Sequence, residues 1–142
     1  MNPKDFQQLA LGLAEHGAFP SEFRTAISRA YYAAFNLGFN LLNELDLTIA
    51  NNHEAHKQVY YHFNNSEDSE LIEVATKIDF LRTKRNHADY HLDRNDVENK
   101  QNAKAHVYLA DRLINTMEKK LNGKNSNKII KSMKKWRNKT SH

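Results

Sequence analysis

The stretch SEFRTAISRAYYAAFNLGFNLL, residues 21–42, decides the fold. Its apolar side chains Phe23, Ile27, Ala30, Ala34, Leu37 and Leu41 recur at alternating steps of four and three, the period of one helix face. Tyr31, Phe35 and Phe39 widen that stripe, as in a long amphipathic helix that buries most of its surface. Pro20 precedes it, and Ser21 is expected at the N-cap, where a hydroxyl can accept one of the orphan N–H groups of the first turn.

The same period continues on both sides. Upstream, Asn2 to Glu15 carries Phe6, Leu9 and Leu13 at helical spacing, and Gly17 ends the segment. Downstream, 46–52 is expected as a loop. A short third segment, His53 to Phe63, puts His56, Val59, Tyr60 and Phe63 on one face, and Asn64, Asn65 and Ser66 close it. The fourth segment runs from Asp68 to His91 with the stripe Leu71, Val74, Ile78, Leu81, then Arg85, then Ala88 and Leu92. A fifth is expected to open at Asn95 with Glu98 three residues on, a capping-box pattern. Its stripe is Val107, Ala110, Ile114, Met117 and Leu121, and Gly123 fits a C′ position. In SNKIIKSMKKWRNK, 126–139, Ile129, Ile130, Met133 and Trp136 face away from the lysines. No segment alternates with period two for long enough to be a strand, and short connections favour antiparallel neighbours. The sequence therefore predicts an all-α protein. It would be an up-and-down four-helix bundle over 1–123, with a short extra helix, followed by a basic amphipathic tail or helix over 124–142.

Composition narrows the classes. The chain has 142 residues, 39% hydrophobic and 27% charged, which fits one globular domain with a real core. It contains no cysteine, which excludes disulfides, thiolate metal sites and a cysteine nucleophile. No apolar run reaches the roughly 18 residues of a membrane span. The opening MNPKDFQQLA lacks the pattern of a signal peptide, so a cytoplasmic protein is expected. The net charge of +4 is unevenly spread. Residues 1–117 hold 12 Lys+Arg against 16 Asp+Glu, whereas 118–142 hold 9 against one. Such a tail either contacts a polyanion such as nucleic acid or is simply a solvated end.

The chemistry concentrates in the fourth segment, where the inward slot after Leu81 is Arg85. A buried guanidinium keeps its proton, so it needs a carboxylate or an anion. Asp89, one turn on, offers an intrahelical pair. Around it the heptapeptide RNHADYH, 85–91, gathers an arginine, an asparagine, a tyrosine and two histidines. Arginine suits phosphate and histidine shuttles protons near neutral pH, so together they could cleave a phosphodiester without a metal. On a straight helix Arg85 and His91 lie about 120° apart, at roughly 100° per residue. They converge only if the helix ends there or a two-fold dimer juxtaposes two motifs.

AISRAYYAAF at 26–35 followed by LRTKRNHADYH at 81–91 resembles the HEPN superfamily (higher eukaryotes and prokaryotes nucleotide-binding), over about residues 5–120. The family's Arg–polar–His hallmark maps onto Arg85, Asn86 and His91, with Arg82 and His87 as a second register. The resemblance implies a four-helix bundle that dimerises with both motifs at a shared cleft. It implies a metal-independent endoribonuclease, a toxin of a toxin–antitoxin system or an antiviral abortive-infection effector, often paired with a nucleotidyltransferase-type antitoxin. Arg85 would stabilise the phosphorane, His91 would act as base or acid, and Asn86 would orient the phosphate. Tyr90, Arg29 and Tyr32 are candidate substrate contacts, and Lys134, Lys135 and Arg137 would hold RNA. The Ala88–Asp89–Tyr90 ending also resembles non-catalytic members that serve as scaffolds or nucleotidyltransferase partners.

The remaining signals are weaker. His87 and His91 share a helix face with Asp93 nearby, but no strong third ligand accompanies them, so neither a metal nor a cofactor is expected. His53, His56 and His62 read as solvated or packing residues, and Tyr31 and Tyr32 as core. A basic helical DNA-binding module ranks last, because the positive charge lies in the tail and not on a candidate recognition helix.

Overall fold

A computed structural model describes residues 1–122 and 126–140. Those residues form α1 (Pro3–His16), α2 (Pro20–Glu44), α3 (Ala55–Asn64), α4 (Ser69–Tyr90), α5 (Lys100–Leu121) and α6 (Ser126–Thr140). A 3₁₀ turn, Asn95–Glu98, links α4 to α5, and no strand occurs among the described residues. The expected C′ residue Gly123 and the expected boundary at 123/124 lie outside them.

Helix α2 is the hub, packing against α1, α4 and α5, while α1 and α4 also touch α5. All six residues of its expected stripe are buried, and Ala26, Ala30, Ala33 and Ala34 lose all exposure. Small side chains there let neighbouring backbones come close. Gly38 serves the same purpose, since a Cβ would meet the Phe63 ring at 3.1 Å and the Met117 sulfur at 3.3 Å. The stripes of α4 and α5 are buried as expected through Leu71, Val74, Ile78, Leu81, Val107, Ala110, Ile114, Met117 and Leu121.

Several details differ from the sequence reading. Helix α2 starts one residue earlier, with Pro20 in its first turn, so Ser21 is not its cap. The Glu22 carboxylate takes that role by accepting from the Ala18 and Phe19 N–H groups, each at 3.0 Å. Those bonds hold its pKa below the ordinary carboxylate value. Asn95 and Glu98 do not box the start of α5. Asn99 caps it by accepting from the Asn102 N–H, and Glu98 is drawn to Arg24 instead. Leu92 follows the end of α4 and is 79% exposed, because the helical period stops at Tyr90. In α1 the buried face is Pro3, Gln7, Ala10 and Ala14, not Leu9. Gln7 is accepted there because its Nε2 donates to the Val107 carbonyl of α5. Gly17 does end α1, in extended geometry, because a Cβ would collide with the Leu13 carbonyl oxygen.

The basic C-terminal segment is helical over Ser126–Thr140 and packs on α3 and α5. Ile129 and Met133 join the common core, and Trp136 lies edge-on to His62 with ring centroids 5.1 Å apart. His62 is 1% exposed and belongs to the buried face of α3, which its polar character concealed in the sequence. Its Nδ1–H donates to the Gln58 carbonyl at 2.6 Å, leaving Nε2 to accept from Arg137 Nη1 at 3.4 Å. Burial, and then the Arg137 charge, depress its pKa below the ordinary 6.5, against the Gln58 bond that raises it.

A histidine with a depressed folded pKa is protonated first in the unfolded chain. Its stability contribution is complete above about pH 6.5 and declines as pH falls toward the folded value. His56 and His106 are depressed in the same direction, mainly by burial. The urea midpoint, followed by Trp136 fluorescence, is expected to fall between about pH 7 and pH 5.5, and His62→Gln is expected to flatten that slope. A midpoint that stays constant over this range would contradict the neutral buried His62.

Candidate functional site

The C-terminal end of α4 is built around Arg24 of α2. Four carbonyls at any helix end lack an intrahelical donor, and they carry the negative end of the helix dipole. Arg24 Nη1 donates to the carbonyls of His87 at 3.1 Å, Ala88 at 2.9 Å and His91 at 3.2 Å. Its Nη2 continues along the departing chain to the carbonyls of Leu92 at 3.3 Å and Arg94 at 2.7 Å. Glu98 Oε1 accepts from both Nε at 2.9 Å and Nη2 at 2.7 Å, which balances the charge. One buried guanidinium thus sets the backbone path from His87 to Arg94, and with it the positions of both motif histidines. The sequence reading missed this residue. Arg24, Ser28 and Tyr31 follow one another at steps of four and three on α2, and that phase was the available signal.

Arg85 lies at the seam of α2 and α4 with a side chain only 12% exposed. Its guanidinium carbon stands 5.4 Å from the Tyr31 ring centroid, 5.1 Å from Tyr32 and 5.6 Å from Tyr90. Tyr32 faces a second guanidinium, that of Arg29, at 4.9 Å, and Arg29 also covers Phe6 at 5.0 Å. The polar partners of Arg85 are weak. Asp89 Oδ2 is 3.8 Å from Nη1 and the Tyr90 hydroxyl is 3.4 Å away. Arg85 Nε is buried without a hydrogen-bond partner among the described residues. The Asp89 carboxylate is shared, since it accepts from Ser28 Oγ at 3.0 Å, and Ser28 in turn accepts from Arg29 at 3.3 Å. Burial pushes the Tyr31 phenol up to about 12, against the pull of Arg82 and Arg85, so it is a neutral wall of the cage.

The intrahelical Arg85–Asp89 pair expected from spacing is therefore present, but loose. Arg85, Tyr32, Arg29 and Tyr90 come together as the candidate list implied. Tyr90 is 70% exposed and forms the outer rim. His91 does not join them within one chain. It is the exposed C-cap of α4, and its ring meets that of His87 edge-on at 5.6 Å. His87 Nδ1 is buried without a partner, and burial followed by the charges of Arg94 and Lys84 lowers its pKa. The second register fares no better. Arg82 and His87 are about 140° apart around a helix at roughly 100° per residue. Arg82 acts on Tyr31 and His56 instead. Asn86 is half-buried, and no hydrogen bond among the described residues fixes its side chain. Lys134, Lys135 and Arg137 sit on α6, which packs on α3 and α5 and not on the α2–α4 seam. Among the described residues no three His, Asp or Glu side chains gather as a metal site, and no helix is long and apolar enough to cross a membrane.

Chemically, the seam offers a desolvated guanidinium with an idle donor and a second guanidinium across one aromatic ring. Groups of that kind are suited to an oxyanion. No protein-family model matches the chain, and no curated protein and no solved structure is significantly similar to it.

Two substitutions separate scaffold from receptor. Arg24→Met removes a buried cation that serves five carbonyls and a carboxylate, and is expected to cost about 3 kcal/mol or more in urea unfolding. Asp89→Asn removes the charge of a long, partly exposed pair and keeps an amide oxygen that can accept from Ser28 Oγ, so it is expected to change stability by under about 1 kcal/mol. Comparable costs for the two would refute this division.

Proposed function

We propose that this protein is a metal-independent endoribonuclease of the HEPN type, working as a homodimer in the cytoplasm. In this reading α1, α2, α4 and α5 are the up-and-down four-helix bundle, and the α4 ends of two copies meet at one cleft. The observation that carries it is the under-coordinated Arg85, a guanidinium held among three tyrosines with a buried Nε that has no partner. A phosphate supplies the paired acceptors that Asp89 at 3.8 Å does not.

The reaction needs only groups that this chain holds. His91, exposed at the helix end, accepts the proton of a ribose 2′-hydroxyl. The freed oxygen attacks the adjacent phosphorus, Arg85 stabilises the charge that builds on the phosphorane, and Asn86 orients a phosphate oxygen. The bond from phosphorus to the 5′ oxygen breaks, and that oxygen takes a proton from a histidine. The products are a 2′,3′-cyclic phosphate and a 5′-hydroxyl. Because Arg85 and His91 do not meet within one chain, the second copy supplies the complement. The role that fits is a toxin of a toxin–antitoxin pair or an antiviral abortive-infection effector, with a nucleotidyltransferase-type protein as antitoxin.

One observation favours a second reading. The separation of Arg85 from both histidines, with Asp89 beside the guanidinium, suits a non-catalytic HEPN partner that holds an anion or a nucleotidyltransferase and cleaves nothing.

Incubation with single-stranded and structured RNA in excess EDTA tests the two. The enzyme reading expects cleavage to cyclic-phosphate ends. Arg85→Ala and His91→Ala are each expected to lower it by roughly a hundredfold or more, while the proteins stay folded. Cleavage lost in His87→Ala but kept in His91→Ala moves the site to the Arg82 register. A folded dimer that cleaves neither RNA supports the partner reading.

A further inference from the structure

A polar cleft that shares no lining residue with the Arg85 cage lies between the loop after α2, α3 and α6. It encloses about 830 Å³, and its lining includes Asn52, Gln58, Tyr61, His62, Trp136 and Arg137. A smaller cleft of about 250 Å³ adjoins it and brings in Lys135 and Lys139. The two share Asn64, Asn65 and Trp136, so the indole forms the ridge between them.

Each lining type has one plain use. Trp136 and Tyr61, with centroids 6.1 Å apart and planes at 44°, open as a V of aromatic faces. Such faces stack unpaired bases, whatever the base. The amides of Gln58 and Asn64 present both donors and acceptors, as a base edge does, while Asn52 Oδ1 already accepts from the Glu54 N–H and Asn65 Nδ2 donates to the Tyr61 carbonyl. Arg137 has no carboxylate within ion-pair distance among the described residues. Its Nη1 is steered by the neutral His62 Nε2 at 3.4 Å, leaving the rest of the guanidinium for a ligand. Two carboxylates also lie in the linings and keep their charge. Glu54 pairs with His53 at 3.3 Å and lies 3.9 Å from Lys57, and Glu67 accepts from Ser132 at 2.9 Å. Arg137, Lys135 and Lys139 outnumber Glu54 and Glu67 in the two linings, so the surface about the aromatic ridge stays net positive.

We infer that the α3–α6 cleft binds a nucleotide, with its base stacked on Trp136 beside Tyr61 and its phosphate on Arg137. Lys135 and Lys139 across the ridge receive the next phosphate when the nucleotide is one unit of a single strand. The site is separate from Arg85, so it serves a cleaving and a non-cleaving chain equally. In a ribonuclease it would anchor the strand away from the scissile bond.

Trp136 is the only tryptophan in the chain, so its fluorescence reads this cleft directly. Titration in EDTA with 5′-AMP, adenosine, inorganic phosphate and a 2′-O-methyl RNA hexamer, which cannot be cleaved through its 2′ position, tests the inference. Saturable quenching is expected with 5′-AMP and the hexamer. Adenosine is expected to bind at least roughly tenfold more weakly than 5′-AMP, as lost charge-assisted hydrogen bonds would give. Arg137→Gln is expected to erase that difference, and Tyr61→Ala to weaken both ligands by about tenfold. A hexamer that binds much more tightly than 5′-AMP, with the excess lost in Lys135→Gln/Lys139→Gln, identifies a strand. Equal affinities identify a free nucleotide. The titrations read Trp136 and no strand scission, which keeps the result independent of the cleavage assay. Absence of saturable quenching by both 5′-AMP and the hexamer, or an unchanged preference for 5′-AMP in a folded Arg137→Gln protein, would overturn the inference.

Discussion

The contact between Arg24 and the last turn of α4 governs everything that follows it in the chain. A helix that ends inside a protein leaves carbonyls without donors, and here they would face α2 with little water to serve them. Arg24 answers with both terminal nitrogens of its guanidinium, and Glu98 balances it by accepting from Nε and Nη2. The contact fixes where α4 stops, sends the chain outward through Leu92, and brings the 3₁₀ turn back onto α2. It also explains why Glu98 is not a helix cap. A carboxylate on a buried guanidinium has more at stake than one on an exposed N–H, because an uncompensated buried charge is the costlier vacancy.

The helices were legible because apolar period is a one-dimensional signal. Residues 21–42 carry it almost without interruption, and α2 buries every position of the stripe. The errors fall where a polar residue occupies a buried slot or where the end of a helix is decided from a distance. Gln7 and His62 are buried, the first served by the distant Val107 carbonyl and the second by the Gln58 carbonyl one turn back in its own helix. Ser21 looked like a cap by residue type, but Pro20 supplies the first helical dihedral and Glu22 reaches back to the free N–H groups. The start of α5 was misplaced because Asn95 and Asn99 are equally good caps by composition. Only the pull of Arg24 on Glu98 chooses between them.

The candidate site was legible in part, for the same reason. Arg85 stands out because it interrupts an apolar stripe, and a charge in an inward slot is visible in the sequence. Its aromatic cage was partly visible too, since Tyr31 and Tyr32 lie on the neighbouring helix. The relation of Arg85 to His91 was not legible beyond the angular argument, because His91 leaves the helix and its direction depends on the carbonyls that Arg24 holds. Arg24 itself was overlooked because an arginine beside Phe23 reads as a boundary of the stripe and not as part of it.

Three arginines of this chain form a graded series that separates structure from binding. Arg24 is saturated, with every guanidinium nitrogen on an acceptor near 3 Å, so an incoming anion would have to displace bonds already made. Arg85 is just as enclosed but starved, with one idle buried nitrogen and its nearest carboxylate oxygen at 3.8 Å. Arg137 is only half-buried and held by a neutral imidazole, which aims it without cancelling its charge. Burial alone would rank Arg24 first as a functional residue, and charge alone would not distinguish the three. The shortfall between the donors a guanidinium presents and the acceptors it has found is the quantity that matters, because a ligand can gain free energy only from bonds the protein has not already made. By that measure Arg85 and Arg137 are the two of the three whose donors are not all matched. Arg85 stands at the seam of α2 and α4 and Arg137 on α6 beside α3, whereas the donors of Arg24 are taken up in ending α4.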